Sequence, residues 1–254
     1  MSNIRIDGIN IHYEKYGDSG RDVILLHGWG QNTKMMEYIG LFLAKHFTVY
    51  NIDFPGFGES DEPEVPFSCL DYMENLRSFI KELSIDEEPI FIAHSFGCRI
   101  AVHYAYKYGA YKMVLTGAAG LRDQRGLKYY FKTYAYKLGK KIMSIGPLKK
   151  YLTALQNASG SEDYRNASGV MRATFVKVVN DDVKDLLGDI GAETLLVFGS
   201  NDEATPVEKG KIMEKLMPNA ALVIFEDDDH YAYFHQADRF NRVLDAFLRN
   251  DYDI

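Results

Sequence analysis

Six short apolar runs, separated by stretches of helical periodicity, constrain this 254-residue chain more than any other feature. They are DVILLHG (22–28), FTVYNIDFPGFG (47–58), PIFIAHS (89–95), YKMVLTG (111–117), ETLLVFGS (193–200) and AALVIFE (220–226). A strand with one wet face alternates apolar and polar residues, whereas a strand covered on both faces is apolar nearly throughout. Helices are predicted between them at about 33–46, 68–84, 96–108, 206–217 and 236–250. Strands alternating with helices predict an α/β fold, a mostly parallel doubly wound sheet with right-handed crossovers. At the N-terminus Ile4, Ile6, Ile9, Ile11 and Tyr13 flank Asp7-Gly8 and predict an antiparallel hairpin.

The rhythm breaks between about Leu121 and Leu187, where no strand is evident. Leu127, Tyr130, Phe131, Tyr134, Leu138 and Ile142 share one helical face, and Arg122, Arg125, Lys128 and Lys132 share the opposite one. QNASGSEDYRNASG (156–169) reads as a polar break between helices. Residues 121–187 are therefore predicted as a helical cap inserted into a core formed by 1–120 and 188–254.

With 46% hydrophobic and 26% charged residues, the chain has an ordinary globular composition. A net charge of −7 argues against nucleic-acid binding. No run approaches the length of a membrane span, and the N-terminal stretch lacks the apolar segment of a signal peptide. Two cysteines, Cys69 and Cys98, are too few for a disulfide scaffold or a multi-cysteine metal site, so a reducing, cytoplasmic setting is the default expectation.

Ligands bind at the carboxyl ends of strands in such sheets. Ser95 stands there, between the run ending at His94 and the helix predicted from Phe96, in the frame A-H-S-F-G. A tight strand-to-helix turn needs small residues two before and two after the serine, and Ala93 and Gly97 are small. The segment by itself is equally compatible with a serine that caps the helix. A nucleophilic serine needs a base. Of seven histidines, His230 follows the last strand in the loop DDDHYAYFHQ, where it can reach a strand-end serine; a solvated loop histidine is the bland alternative. The imidazole in turn needs an acid. Asp202 fits, in FGSNDEATP after the preceding strand, with Asp227, Asp228 and Asp229 as rivals by proximity. An oxyanion needs N–H donors. The Gly-rich loop LLHGWGQN (25–32) and the turn after Ser95 offer the backbone N–H groups of Trp29 and Phe96, although a tight turn also needs glycines for its own sake. Trp29 would also wall the substrate pocket, together with Tyr129, Tyr130 and Tyr134, unless those tyrosines form the core of the cap.

HGWG (27–30), DFPGFGES (53–60), AHSFG (93–97), GSNDEATP (199–206) and the late His230, in this order, resemble the α/β-hydrolase superfamily over essentially the whole chain. The HGWG-x-N form is similar to that of carboxylesterases. The resemblance implies Ser95 as nucleophile, His230 as base, Asp202 as acid, and Trp29 and Phe96 as oxyanion donors. It implies a small-molecule acyl substrate and neither metal nor organic cofactor. Serine at the elbow, not aspartate, sets the chain apart from haloalkane dehalogenases and epoxide hydrolases. Ala93 replaces the commoner glycine, and Cys98 stands where a glycine often follows; neither removes a catalytic atom. Carbon–carbon bond hydrolases, thioesterases and acyltransferases use the same triad, and a hydrolase-like binding protein would lack one of its members.

Leu121–Lys150 carries nine basic residues against one acid, Asp123. A solvated helix face explains this blandly; steering of an anionic substrate or carrier is the functional alternative. If steering operates, kcat/KM for a negatively charged ester falls with added salt far more than for a neutral one. Equal salt dependence of the two would remove it.

Overall fold

The structure, a computed structural model, describes residues 2–86, 88–122 and 166–252. One eight-stranded sheet organises it, in the order β1-β2-β4-β3-β5-β6-β7-β8. The strands are β1 Ser2–Ile6, β2 Ile9–Tyr16, β3 Asp22–Leu26, β4 Thr48–Ile52, β5 Ile90–His94, β6 Lys112–Thr116, β7 Glu193–Gly199 and β8 Ala220–Phe225. β2 runs antiparallel to β1 and β4, and β3 to β8 are parallel to one another. The hairpin turns at Asp7 and Gly8, both with positive φ, the backbone that suits a two-residue connection.

The runs of β3 to β7 are buried on both faces, as their patterning requires, whereas β8, at the sheet edge, is only partly buried. In β3, Val23 and Leu25 belong to one hydrophobic cluster while Ile24 and Leu26 belong to the other. β5 repeats the division, with Ile90 and Ile92 on one side and Phe91 and Ala93 on the other. The first face is covered by α1 Glu37–Leu43 and α7 Ala237–Leu248, through Ile39, Leu43, Phe240 and Leu244. The second is covered by α2 Cys69–Glu82, α3 Phe96–Tyr108 and α5 Val207–Leu216. α2 begins where a capping box closes its first turn, Ser68 accepting from the Asp71 N–H and Asp71 from the Ser68 N–H.

Two helices depart from the sequence expectation. The stretch 33–46 divides into a 3₁₀ turn, Thr33–Met35, and α1. There the Thr33 N–H is held 2.6 Å from the buried Asp53 carboxylate and Asn32 caps the Lys34 N–H, so the backbone turns tightly before it becomes α-helical. At the other end a separate four-residue helix, α6 Ala232–His235, precedes α7, where the sequence predicted one helix from about 236. The Asp228 carboxylate binds both His235 Nδ1 and Gln236 Nε2 and pins that junction.

Of the inserted region, residues 121–122 and 166–187 are described, and the latter stretch contains α4 Gly169–Val179 and the start of a 3₁₀ segment, Lys184–Asp189. Neither is a strand, in line with a helical insert. Val183 and Leu187 are fully buried, and the Val183 N–H donates to the Gly120 carbonyl, which joins the two ends of the insert. Tyr129, Tyr130, Tyr134 and most of the basic stretch lie outside the described residues. Among the described residues no helix is long and apolar enough to cross a membrane.

β3 lies between β4 and β5, and the chain passes from β4 over to β5 beyond it. The sheet therefore winds in opposite directions on either side of β3, and a crevice opens at the carboxyl ends of β3 and β5. Leu26 pairs with Ala93 at those ends, so the HGWG loop and Ser95 leave the sheet side by side. Gly97 permits this approach: a Cβ there would stand 2.4 Å from the Leu26 carbonyl oxygen and 2.9 Å from that of His27. Gly97→Ala is expected to cost about 1–3 kcal/mol of stability through overpacking against backbone, read from the denaturant midpoint. Wild-type stability in that variant would show that α3 does not press on β3.

Candidate active site

Ser95 adopts φ 49° and ψ −105°, a backbone that residues with a Cβ seldom occupy. Such strain costs on the order of 1–3 kcal/mol and persists because neighbours hold it. The Ser95 N–H donates to the Thr116 carbonyl, and its own carbonyl accepts from the Cys98 and Ala119 N–H groups. The capping alternative does not hold, since the Ser95 side chain makes no cap hydrogen bond to α3. Its Oγ instead lies 2.9 Å from His230 Nε2.

His230 Nδ1 lies 2.7 Å from Asp202 Oδ2. A neutral imidazole with its proton on Nδ1 satisfies both contacts, donating to the carboxylate and accepting from the serine hydroxyl. Asp202 is buried, and its other contacts complete its coordination. Oδ1 accepts from the Ala204 and Thr205 N–H groups at 2.8 Å each, and Oδ2 accepts from Thr205 Oγ1 at 2.7 Å. Burial opposes ionisation of Asp202, but the hydrogen bonds from His230 and Thr205 outweigh it and hold the carboxyl below its ordinary value. The rival acids are engaged elsewhere. Asp228 binds His235, Gln236 and the Asp229 N–H, and Asp229 accepts from the Tyr231 N–H. Asp227 is exposed, with φ 59°.

The other strand-end histidines are structural. His27 is fully buried; its Nδ1 donates to the Gly28 carbonyl and its Nε2 accepts from the Phe54 N–H. An accepting Nε2 requires the neutral ring, and burial lowers its pKa accordingly. His94 is also fully buried, bonds Thr116 through Nδ1, and places its ring centroid 4.7 Å from that of His230. Burial, then the neighbouring His230, push its pKa well below the ordinary range. His94 thus backs His230 as a neutral ring and does not compete for charge.

In the HGWG loop, Gln31 accepts from the Gly28 N–H through Oε1 and donates its own N–H to the Gly28 carbonyl. Among the described residues neither the Trp29 nor the Phe96 backbone N–H has an acceptor. The Trp29 ring packs edge-on against Phe57, Phe96 and Phe175, the last from α4. It forms an apolar wall of a cleft of about 670 Å³ that Ser95, His230, Ala119 and Val178 also line. Cys98 is fully buried, and burial raises its thiol pKa, which makes it an inert packing group.

The family model for the alpha/beta hydrolase fold matches residues 23–237. The chain belongs to the α/β-hydrolase family. The 2-hydroxy-6-oxo-6-phenylhexa-2,4-dienoate hydrolase of Burkholderia cepacia is 28% identical to this α/β hydrolase over 268 residues, covering 96% of this chain and 93% of the relative. An esterase from Thermogutta terrifontis has a similar fold, with a TM-score of 0.76 at 19% identity over 99% of this chain and all of the esterase. A meta-cleavage product hydrolase from Pseudomonas fluorescens gives 0.74 at 21% identity over 98% of each chain.

Sequence reasoning on this α/β hydrolase passed over Thr205 and Arg99. Thr205 Oγ1 binds Asp202 and lies 3.2 Å from His230 Nδ1. Its signal was a hydroxyl three residues after the acid, the spacing of a turn that closes on a carboxylate. Arg99 lines the cleft one helical turn after Ser95; it carries no local sequence signal, because a helix arginine is usually solvated.

The Asp202 carboxyl pKa is depressed in the fold. Its ionised form therefore contributes stability above the unfolded value of about 3.9, and that contribution is lost as pH falls through the lower folded value. The melting-temperature gap between wild type and Asp202→Asn should narrow on titration from about pH 7 to about pH 3. A gap constant across that range would show that Asp202 is not held ionised.

Proposed function

We propose that this α/β hydrolase is a serine esterase that cleaves a small acyl ester through Ser95, His230 and Asp202. One observation carries the reading: Ser95 Oγ stands 2.9 Å from His230 Nε2, and His230 Nδ1 stands 2.7 Å from a buried carboxylate. In the proposed reaction His230 accepts the Ser95 proton as Oγ bonds to the acyl carbon. The Trp29 and Phe96 N–H groups stabilise the oxyanion, each worth on the order of 3 kcal/mol. Collapse breaks the ester C–O bond, and His230 passes its proton to the departing alcohol. Water, deprotonated by His230, then attacks the acyl-enzyme and releases the acid. Asp202 fixes the imidazole tautomer and balances the imidazolium charge. Residues 121–187 serve as the cap over a core of 1–120 and 188–254.

The Burkholderia cepacia relative favours a second reading, hydrolysis of a carbon–carbon bond with the same three groups. Turnover of 4-nitrophenyl esters against that of a 2-hydroxy-6-oxo-dienoate separates the two.

A fluorophosphonate probe is expected to label wild type at Ser95. Ser95→Ala should fold normally, escape labelling and lose several orders of magnitude in kcat on short 4-nitrophenyl esters. Wild-type turnover by Ser95→Ala would overturn the assignment.

A further inference from the structure

We propose that Arg99 is a specificity-determining residue that binds a carboxylate on the acyl portion of the substrate, so that the preferred substrates are monoesters of short dicarboxylic acids. This rests on the esterase reading above and names its substrate class.

Arg99 follows Ser95 by four residues, about 6 Å along the axis of α3 at 1.5 Å per residue, and both line the same cleft. Its side chain is only 11% exposed. A guanidinium so far removed from water needs anionic or polar partners. The protein supplies one backbone acceptor and one long ion pair. Arg99 Nη1 donates to the backbone carbonyl of Asp181, a neutral acceptor. The Asp181 carboxylate stands 4.0 Å from Nη1, beyond hydrogen-bond reach, and is engaged instead by His103 Nε2 at 2.9 Å. Among the described residues Nε and Nη2 have no acceptor. Nε and Nη2 present the flat two-donor edge that a carboxylate matches with paired hydrogen bonds.

The position also says which half of an ester meets this group. The charged neighbours of Arg99 are Asp181, Asp182 and Arg122, on the segments that enter and leave the insert. The polar partners of His230 are Asp202 and Thr205, on the loop after β7. The two groups therefore reach the cleft from different parts of the fold. The leaving alcohol takes its proton from His230, so the acyl chain extends toward Arg99. Ala119 and Val178 line the same cleft and supply apolar surface for its methylenes.

The test reads binding without turnover. Ser95→Ala is titrated calorimetrically with ethyl hydrogen succinate, ethyl hydrogen glutarate and ethyl hydrogen adipate, each against its diethyl ester. At least one monoanion should bind roughly tenfold to a hundredfold more tightly than its neutral counterpart, the range of a charged hydrogen-bonded contact. Adding Arg99→Gln, which keeps an N–H for the Asp181 carbonyl but removes the charge, should erase that preference with little change in melting temperature. Arg99→Lys, gentler still on folding, keeps a point charge but loses the fork and should reduce the preference several-fold. Equal binding of all monoanions and diesters overturns the proposal, as does a preference undiminished in whichever variant folds. Failure of the esterase reading is separate: wild type would then neither turn over the monoesters nor take the fluorophosphonate label, whatever the calorimetry shows.

Discussion

The close approach of α3 to the end of β3 is the constraint on which the site depends. It holds Ser95 in a strained left-handed turn, and it is possible only because residue 97 has no side chain. Three backbone hydrogen bonds to the end of β6 and into α3 restrain the turn from the other side. A serine in ordinary helix-cap geometry would spend its hydroxyl on the helix backbone. The strained turn leaves the hydroxyl for His230 and, among the described residues, keeps the Phe96 N–H without an acceptor. One local distortion thus serves both the attacking group and one oxyanion donor of the proposed mechanism.

Histidine placement follows a second physical rule. His27 and His94 lie beside the reaction centre, yet both are fully buried and bonded in ways that suit the neutral ring. Elsewhere His12 is tied to the buried Asp53, and His103 to Asp181. His230 differs because one nitrogen faces an ionised carboxylate and the other a serine hydroxyl in an open cleft. His230 is thus the ring that joins a buried carboxylate to the Ser95 hydroxyl, and the neutral His94 behind it adds bulk without charge.

Asp53 performs a comparable service for the loops. Its buried carboxylate accepts from His12 Nδ1 and from the N–H groups of Thr33 and Glu59. It thereby ties the N-terminal hairpin, the end of the HGWG loop and the DFPGFGES loop into one unit. The HGWG loop is thus positioned by a carboxylate just past the end of β4 as well as by its own glycines.

The sequence by itself determined the alternation of strands and helices, the helical character of the insert and the set of polar residues at strand ends. Those features are local, because continuous apolar runs have one stable use in a covered parallel sheet and strand ends are where a doubly wound sheet opens. The order of Ser95, Asp202 and His230 along the chain was legible for the same reason. Tertiary structure alone decided between nucleophile geometry and helix cap at Ser95, and between Asp202 and three nearer aspartates as partner of His230. It also brought in Thr205 and Arg99. Ser95 and His230 are 135 residues apart, and Arg99 and Asp181 are 82 apart. No spacing rule reaches across such distances, because which groups meet depends on the register of β5, β6, β7 and β8 and on the loops that leave their ends.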